Sequence, residues 1–243
     1  MKNILVSWYG ITDLRCSFGF ESSGPLIAAM RATHYQQVHV LQYVAENKTA
    51  TDEEVSEAAM GLLCNISPAQ FINKVSNTPA ANQHFLKWLI DKAAAENQNS
   101  EIIGHEVHLK QLNDSDGIYN AAVSILDEIT TEPDIAVTLD ISPGTAVMAF
   151  VWAFAALRYP GVNIRLITSP RINCPPEEVA IPQGLRQQAE SARRTGCCVP
   201  SFRGTKNAFA SGREGVPGKE ARIYHLAPVF SKYHERFCAE QHD

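Results

Sequence analysis

Apolar positions along the chain follow two alternating rhythms. Residues 4–8, 38–44, 106–112, 135–139 and 162–168 are continuous or alternating apolar runs, the pattern of buried strands. Between them, residues 25–33, 52–64, 79–95 and 146–158 repeat apolar side chains at helical spacing. In the third of these segments Phe85, Trp88 and Leu89 stand at i, i+3 and i+4. Asn113, Asp114, Ser115 and Asp116 cap a further helix that runs through Ile118, Ala122, Ile125 and Ile129. Ser67-Pro68 and Thr78-Pro79 each read as a helix start. Residues 9–24, rich in Gly, Ser, Thr and Asp, read as a long loop. Strands alternating with helices predict an α/β protein: a Rossmann-like, doubly wound, mostly parallel sheet.

The texture changes after Ser169. Pro170, Pro175, Pro176 and Pro182 interrupt regular structure, and residues 183–194 form a polar helical segment. Residues 196–220 have little periodicity, and residues 221–226 and 231–241 read as a strand and a short helix. We expect a domain over residues 1–182 and a linker or C-terminal extension over 183–243.

Composition narrows the classes. Of 243 residues, 45% are hydrophobic, enough for a sizeable core. The formal net charge of −5 argues against broad, unspecific nucleic-acid binding, so no DNA partner is expected. No stretch has the length and apolarity of a membrane span. The chain goes straight into a strand, with no secretory signal pattern, and its six cysteines are scattered, so free thiols and a cytoplasmic location are expected. His234, Cys238 and His242 stand four apart near the C-terminus, but paired C-x2-C ligands are missing, and no metal site is assigned.

Candidate chemistry concentrates on two short turns. The first follows the opening strand: Trp8, Tyr9, Gly10, Thr12 and Asp13. The second, Ser142, Pro143, Gly144 and Thr145, joins the 135–139 strand to an almost wholly apolar helix. Such a turn either only caps its helix or holds an anion on the unpaired N–H groups of the helix start. If the first and fourth strands are neighbours, both turns meet on one rim, joined by Ser169 and Arg171 from the end of the next strand. Arg171 would then offer a guanidinium fork to phosphate. Neither turn is a G-x-G-x-x-G or P-loop pattern, so NAD binding and P-loop hydrolysis are disfavoured, and no cofactor is expected.

These features resemble a known family. The opening strand with its Gly/Thr/Asp loop, the cap at Asn113–Asp116 followed by Ile118-Tyr119, and the strand–Ser-Pro-Gly-Thr–apolar helix unit are similar to CARF domains, the CRISPR-associated Rossmann fold. The last unit, with Trp152 in its helix, is similar to the sensor domain of RNA-repair regulators that work with sigma-54. The resemblance covers residues 1–182. It implies a homodimer that binds a cyclic oligoadenylate, tetra- or hexa-adenylate, across its two-fold axis and controls an attached effector in type III CRISPR antiviral defence. It assigns both turns, with Ser169 and Arg171, to the ligand. Trp8 or Tyr9 would stack on adenine; equally, Trp8 reads as a core aromatic at a strand end. Asp13 would accept from an adenine amino group or from the partner subunit. Two alternatives stay open: a slow metal-independent ring nuclease, with Ser142, Thr145 or Thr12 assisting and Arg171 stabilising charge, or a sensor of RNA ends.

Overall fold

The computed structural model describes residues 1–59, 67–169 and 174–194, all within a unit spanning Met1–Val199. Its centre is a six-stranded sheet in the order β3-β2-β1-β4-β5-β6. The strands are β1 (Lys2–Trp8), β2 (Gln37–Ala45), β3 (Glu101–Leu109), β4 (Ile135–Asp140), β5 (Asn163–Thr168) and β6 (Glu177–Val179). The first five are parallel, and β6 adds an antiparallel edge beside β5. This is the Rossmann-like α/β fold expected from the alternation. β1 and β4 are neighbours, in register from Lys2 opposite Ile135 to Ser7 opposite Asp140.

Helices cover both faces. α1 (Ile11–Ser17), α2 (Pro25–Ala32), α3 (Asp52–Ala59), α4 (Pro68–Val75) and α5 (Pro79–Ala95) lie on one. That layer buries Leu5, Val38 and Val40 of the sheet against Leu26, Phe71, Ile72, Phe85 and Leu89. α6 (Ser115–Ile129) and α7 (Ala146–Leu157) cover the other. There Ile4, Val6, Trp8, Val137 and Leu139 pack on Ile118, Ala122, Leu126, Val151 and Trp152. Side chains alternate across the pleat, so neighbours such as Ile4 and Leu5 go to opposite cores. α8 (Gln183–Arg194) lies against the end of α7. Among the described residues, no helix is long and apolar enough to cross a membrane.

Caps fix the helix starts. Ser67, Thr78, Asp114 and Thr145 each accept an N–H of the first turn on a side-chain oxygen. The loop expected over 9–24 is in part a helix: α1 begins directly after Gly10. Asp13 at the third helical position accepts the Gly10 N–H at 3.0 Å, closing the first turn, so the polar composition marks a capped start. β3 begins at Glu101 and ends at Leu109, earlier at both ends than expected. Gly104 interrupts its apolar pattern, because Leu86 of α5 lies 2.8 Å from where a Cβ would stand. The helix expected over 52–64 is seen as far as Ala59; residues 60–66 lie outside the described residues. So do Arg171, the elements expected at 221–226 and 231–241, and the cluster of His234, Cys238 and His242.

Candidate functional site

Strand order reverses between β1 and β4, because β1 leads outward to β2 while β4 leads the other way to β5. Beyond the C-terminal ends of such a pair a crevice opens, the usual ligand position in this class of sheet. Here it is a cavity of about 280 Å³. Trp8, Tyr9, Gly10, Thr12 and Asp13 line it from the β1 side. Ser142, Pro143, Gly144 and Thr145 line it from the β4 side. The two turns touch: a Cβ on Gly10 would lie 3.3 Å from the Gly144 nitrogen and 3.7 Å from Pro143 Cα.

Each turn is held from within. Gly144 has φ +94°, a conformation glycine adopts freely. Thr145 Oγ1 accepts the Met148 N–H at 3.3 Å and starts α7. The Ser142 N–H donates to Asp140 Oδ1 at 2.9 Å. Ser142 Oγ donates to Thr168 Oγ1 at 3.2 Å and accepts the Ser169 N–H, which ties the turn to the end of β5. Ser169 therefore supports the turn; it is not among the cavity-lining residues. Among the described residues, the Gly144 N–H has no acceptor, and the first-turn amides of α7 follow it at the positive end of the helix dipole.

Two carboxyl groups lie beneath this surface. Asp13 is 1% exposed, and its oxygens accept the Gly10 N–H (3.0 Å) and the Leu26 N–H (3.1 Å). One side chain thus joins the starts of α1 and α2, and Gly24 leaves it room, since a Cβ there would fall 2.3 Å from Asp13 Oδ1. Burial raises the Asp13 carboxyl to about 7, against the two backbone bonds and with a smaller push from Asp140. Asp140 is fully buried with Oδ2 unpartnered, and burial raises it to about 6. Among the described residues, no Lys, Arg or His lines the cavity. A bound anion would therefore be held by amides, hydroxyls and the helix dipole.

The aromatic residues divide. Trp8 is 1% exposed and packs in the α6–α7 core, while it also borders the cavity. The Tyr9 ring stacks on Phe85 with centroids 4.3 Å apart, and its hydroxyl donates to Asn82 Oδ1. One face of Tyr9 is thus occupied by α5. Tyr43, Asn77 and Leu112 also line the cavity, and the sequence reading passed over them. Tyr43 lies near the end of β2, beside β1, so only the sheet order brings it to this rim.

The helix that leaves the second turn, α7, carries an exposed apolar surface. α7 buries Met148, Val151, Trp152, Ala155 and Ala156, while Phe150 and Phe154 remain 51% and 47% exposed. Their rings pack on each other at 4.5 Å, one turn apart. A helix apolar on both faces ordinarily has a partner on each.

No family model matches the chain. No curated protein matches it. Among solved structures, Enterococcus italicus Csm6 bound to cyclic hexa-2'-fluoro-hexa-dAMP superposes over 81% of this chain and 44% of its own, with 16% identity and a TM-score of 0.50. Can2 from Sulfobacillus thermosulfidooxidans in complex with cyclic tetra-adenylate aligns over 74% of this chain and 37% of its own, with 16% identity and a TM-score of 0.36. The chain spans less than half the length of either. Its five parallel strands, their reversal between β1 and β4 and the superposition on part of Csm6 together show a Rossmann-like fold shared with that protein.

Proposed function

We propose that this chain is a ligand-sensing module that binds a cyclic oligoadenylate, tetra- or hexa-adenylate, in a cleft formed by two copies. The observation that carries this reading is the cavity at the β1–β4 reversal, where the turns of Gly10 and Gly144 meet beside the Gly144 N–H, which has no acceptor among the described residues. A ring of phosphodiesters suits that surface, since each phosphate takes amides and hydroxyls and needs no cofactor. The exposed Phe150–Phe154 pair lies on the helix that leaves the second turn, so a two-fold contact there would set two cavities near one another. The fold shared with Csm6, whose solved structure holds a cyclic hexanucleotide, supports the same ligand class. In this reading residues 1–182 are the sensor, residues 183–243 lead to an effector, and the protein works in the cytoplasm in type III CRISPR antiviral defence.

Binding rather than cleavage is favoured by the hydroxyls. Of the three hydroxyls in the ring-nuclease alternative, Ser142 and Thr145 are engaged in holding their turn, and Thr12 lines the cavity. Arg171, the charge-stabilising group in that alternative, lies outside the described residues.

A thermal-shift panel tests the assignment, since a ligand bound by the native state raises Tm. Cyclic tetra- or hexa-adenylate is expected to raise Tm at micromolar concentration and to be recovered intact on thin-layer analysis. A rise with linear RNA bearing a 2',3'-cyclic phosphate end, and none with either ring, would replace this reading by RNA-end sensing. Conversion of the ring to linear products would make the protein a ring nuclease.

A further inference from the structure

The cavity has a second wall whose chemistry differs from the two turns. Tyr43 of β2 presents a half-buried aromatic ring, and Leu112, 43% exposed, stands on the segment after β3. Between α4 and α5, Asn77 borders the same space. Its side-chain amide has no hydrogen-bond partner among the described residues. Its backbone, by contrast, is pinned. The Asn77 carbonyl accepts the Ala45 N–H at 2.9 Å, which fastens it to the end of β2. The preceding Ser76 is held by Lys48 Nζ, 3.3 Å from its Oγ, and the same ammonium donates to Asn73 O at 2.7 Å. The following Thr78 caps α5. Asn77 has φ +64°, a region where asparagine is one of the least strained residues. Asn77, its backbone pinned and its side-chain amide unpaired, thus borders a space also lined by Tyr43 and Leu112.

We infer that Tyr43, Leu112 and Asn77 form a nucleobase subsite that selects adenine. This rests on the ligand class proposed above and adds which part of the ligand meets which wall. The turns of Gly10 and Gly144 take the phosphodiester, and the base lies flat against Tyr43 with its edge toward Asn77. A primary amide offers one acceptor and one donor side by side. Adenine offers the complement on its N6/N7 edge, an amino donor beside the N7 acceptor. Hypoxanthine carries a carbonyl in place of that amino group, so one of the two bonds is lost and an acceptor is left facing an acceptor. Tyr43 supplies stacking area, which tolerates any base, so selectivity falls to Asn77.

The test uses the full chain and calorimetry with two cyclic rings of equal size, one of adenylates and one of inosinates. The wild-type protein is expected to bind the adenylate ring roughly tenfold or more tightly. Asn77→Gly keeps the left-handed backbone accessible while removing the amide. It is expected to lose that preference, by weakening the adenylate ring alone, with Tm unchanged within a few degrees. Tyr43→Leu is expected to weaken both rings and Tyr43→Phe neither. Equal affinity of the wild-type protein for the two rings overturns the subsite without recourse to any variant. So does an Asn77→Gly variant that keeps the preference or loses affinity for both rings equally. If the wild-type protein binds neither ring, the proposed function falls and this inference falls with it.

Discussion

Gly10 and Gly144 stand so close that a Cβ on the first would lie 3.3 Å from the amide nitrogen of the second. Two turns 134 residues apart in sequence therefore share one surface, and a side chain at Gly10 intrudes on the second turn. Gly10→Ala forces the turns apart by a few tenths of an ångström. It is expected to weaken ring binding about tenfold, near 1.4 kcal/mol, while Tm moves by only a few degrees. Gly10→Val adds branching that cannot be absorbed, and binding is expected to vanish. Titration calorimetry on both variants checks this; unchanged affinity in Gly10→Val contradicts the shared surface.

Gly144→Ala tests the second turn from the opposite side. At φ +94° an alanine is strained by about 1–2 kcal/mol, and its Cβ would meet Met148 Sδ at 2.6 Å. The sulfur can swing away, so the backbone strain dominates. Urea unfolding should report a loss of that size together with weakened binding.

Asp13 is expected to act through the backbone it holds. Asp13→Ala leaves the Gly10 and Leu26 amides without their acceptor and should cost roughly 2–4 kcal/mol. Asp13→Asn keeps one acceptor and should cost less. Gly24→Ala reaches the same contact from the other partner, since its Cβ would overlap Asp13 Oδ1, and a comparable drop in Tm is expected. A Gly24→Ala protein as stable as wild type would show that the Asp13 clamp is slack.

The buried carboxyls give stability and binding a definite pH dependence. Asp13 and Asp140 are raised by burial to about 7 and about 6, above their ordinary value near 4. The folded protein therefore binds protons more tightly than the unfolded chain. Their contribution is complete below pH 4 and is lost as pH rises through 6 and 7. His39 works in the opposite sense. Burial lowers it to about 4, next to His105 with the ring nitrogens 2.9 Å apart. Its contribution is complete above about pH 6.5 and is lost as pH falls through 4. Asp140→Asn removes one carboxyl, so it should match the wild type below pH 4 and exceed it in stability at pH 8. An anion above these carboxyls should also bind more tightly as pH falls from 8 to 6, with proton uptake. Calorimetry in two buffers of different ionisation enthalpy measures that uptake.

The outer face of α7 predicts the assembly. Phe150→Glu with Phe154→Glu places charge on an exposed apolar pair without touching the buried face of the helix. Sedimentation velocity should find a dimer for the wild type and a monomer for the double variant, which should also bind the ring poorly. A wild-type monomer in the presence of ligand contradicts the two-copy cleft.

Much of this was legible in the sequence, for reasons that can be named. Continuous apolar runs marked β1 and β4, and the small-residue turns after them pointed to one rim once strand order was considered. The capped start at Asp114 and the apolar helix after Thr145 were also readable from local chemistry. α1 was hidden because Gly10 and Asp13 cap it through a backbone amide, and the same residues elsewhere make loops. The start of β3 was hidden by Gly104, whose smallness serves Leu86 of α5. Tyr43 and Asn77 gave no local signal, because β2 and the α4–α5 connection meet the site only through the sheet order. Trp8 was ambiguous in sequence because a strand-end aromatic serves core and ligand equally well; in the structure it packs against α6 and α7 and also borders the cavity.

The central claim is that two copies of this cavity hold one cyclic oligoadenylate. Titration calorimetry of the full chain with cyclic tetra-adenylate and with cyclic hexa-adenylate measures this directly. The account predicts saturable binding of at least one of them at one ring per two chains. Absence of binding for both, or saturation at one ring per chain, would contradict it.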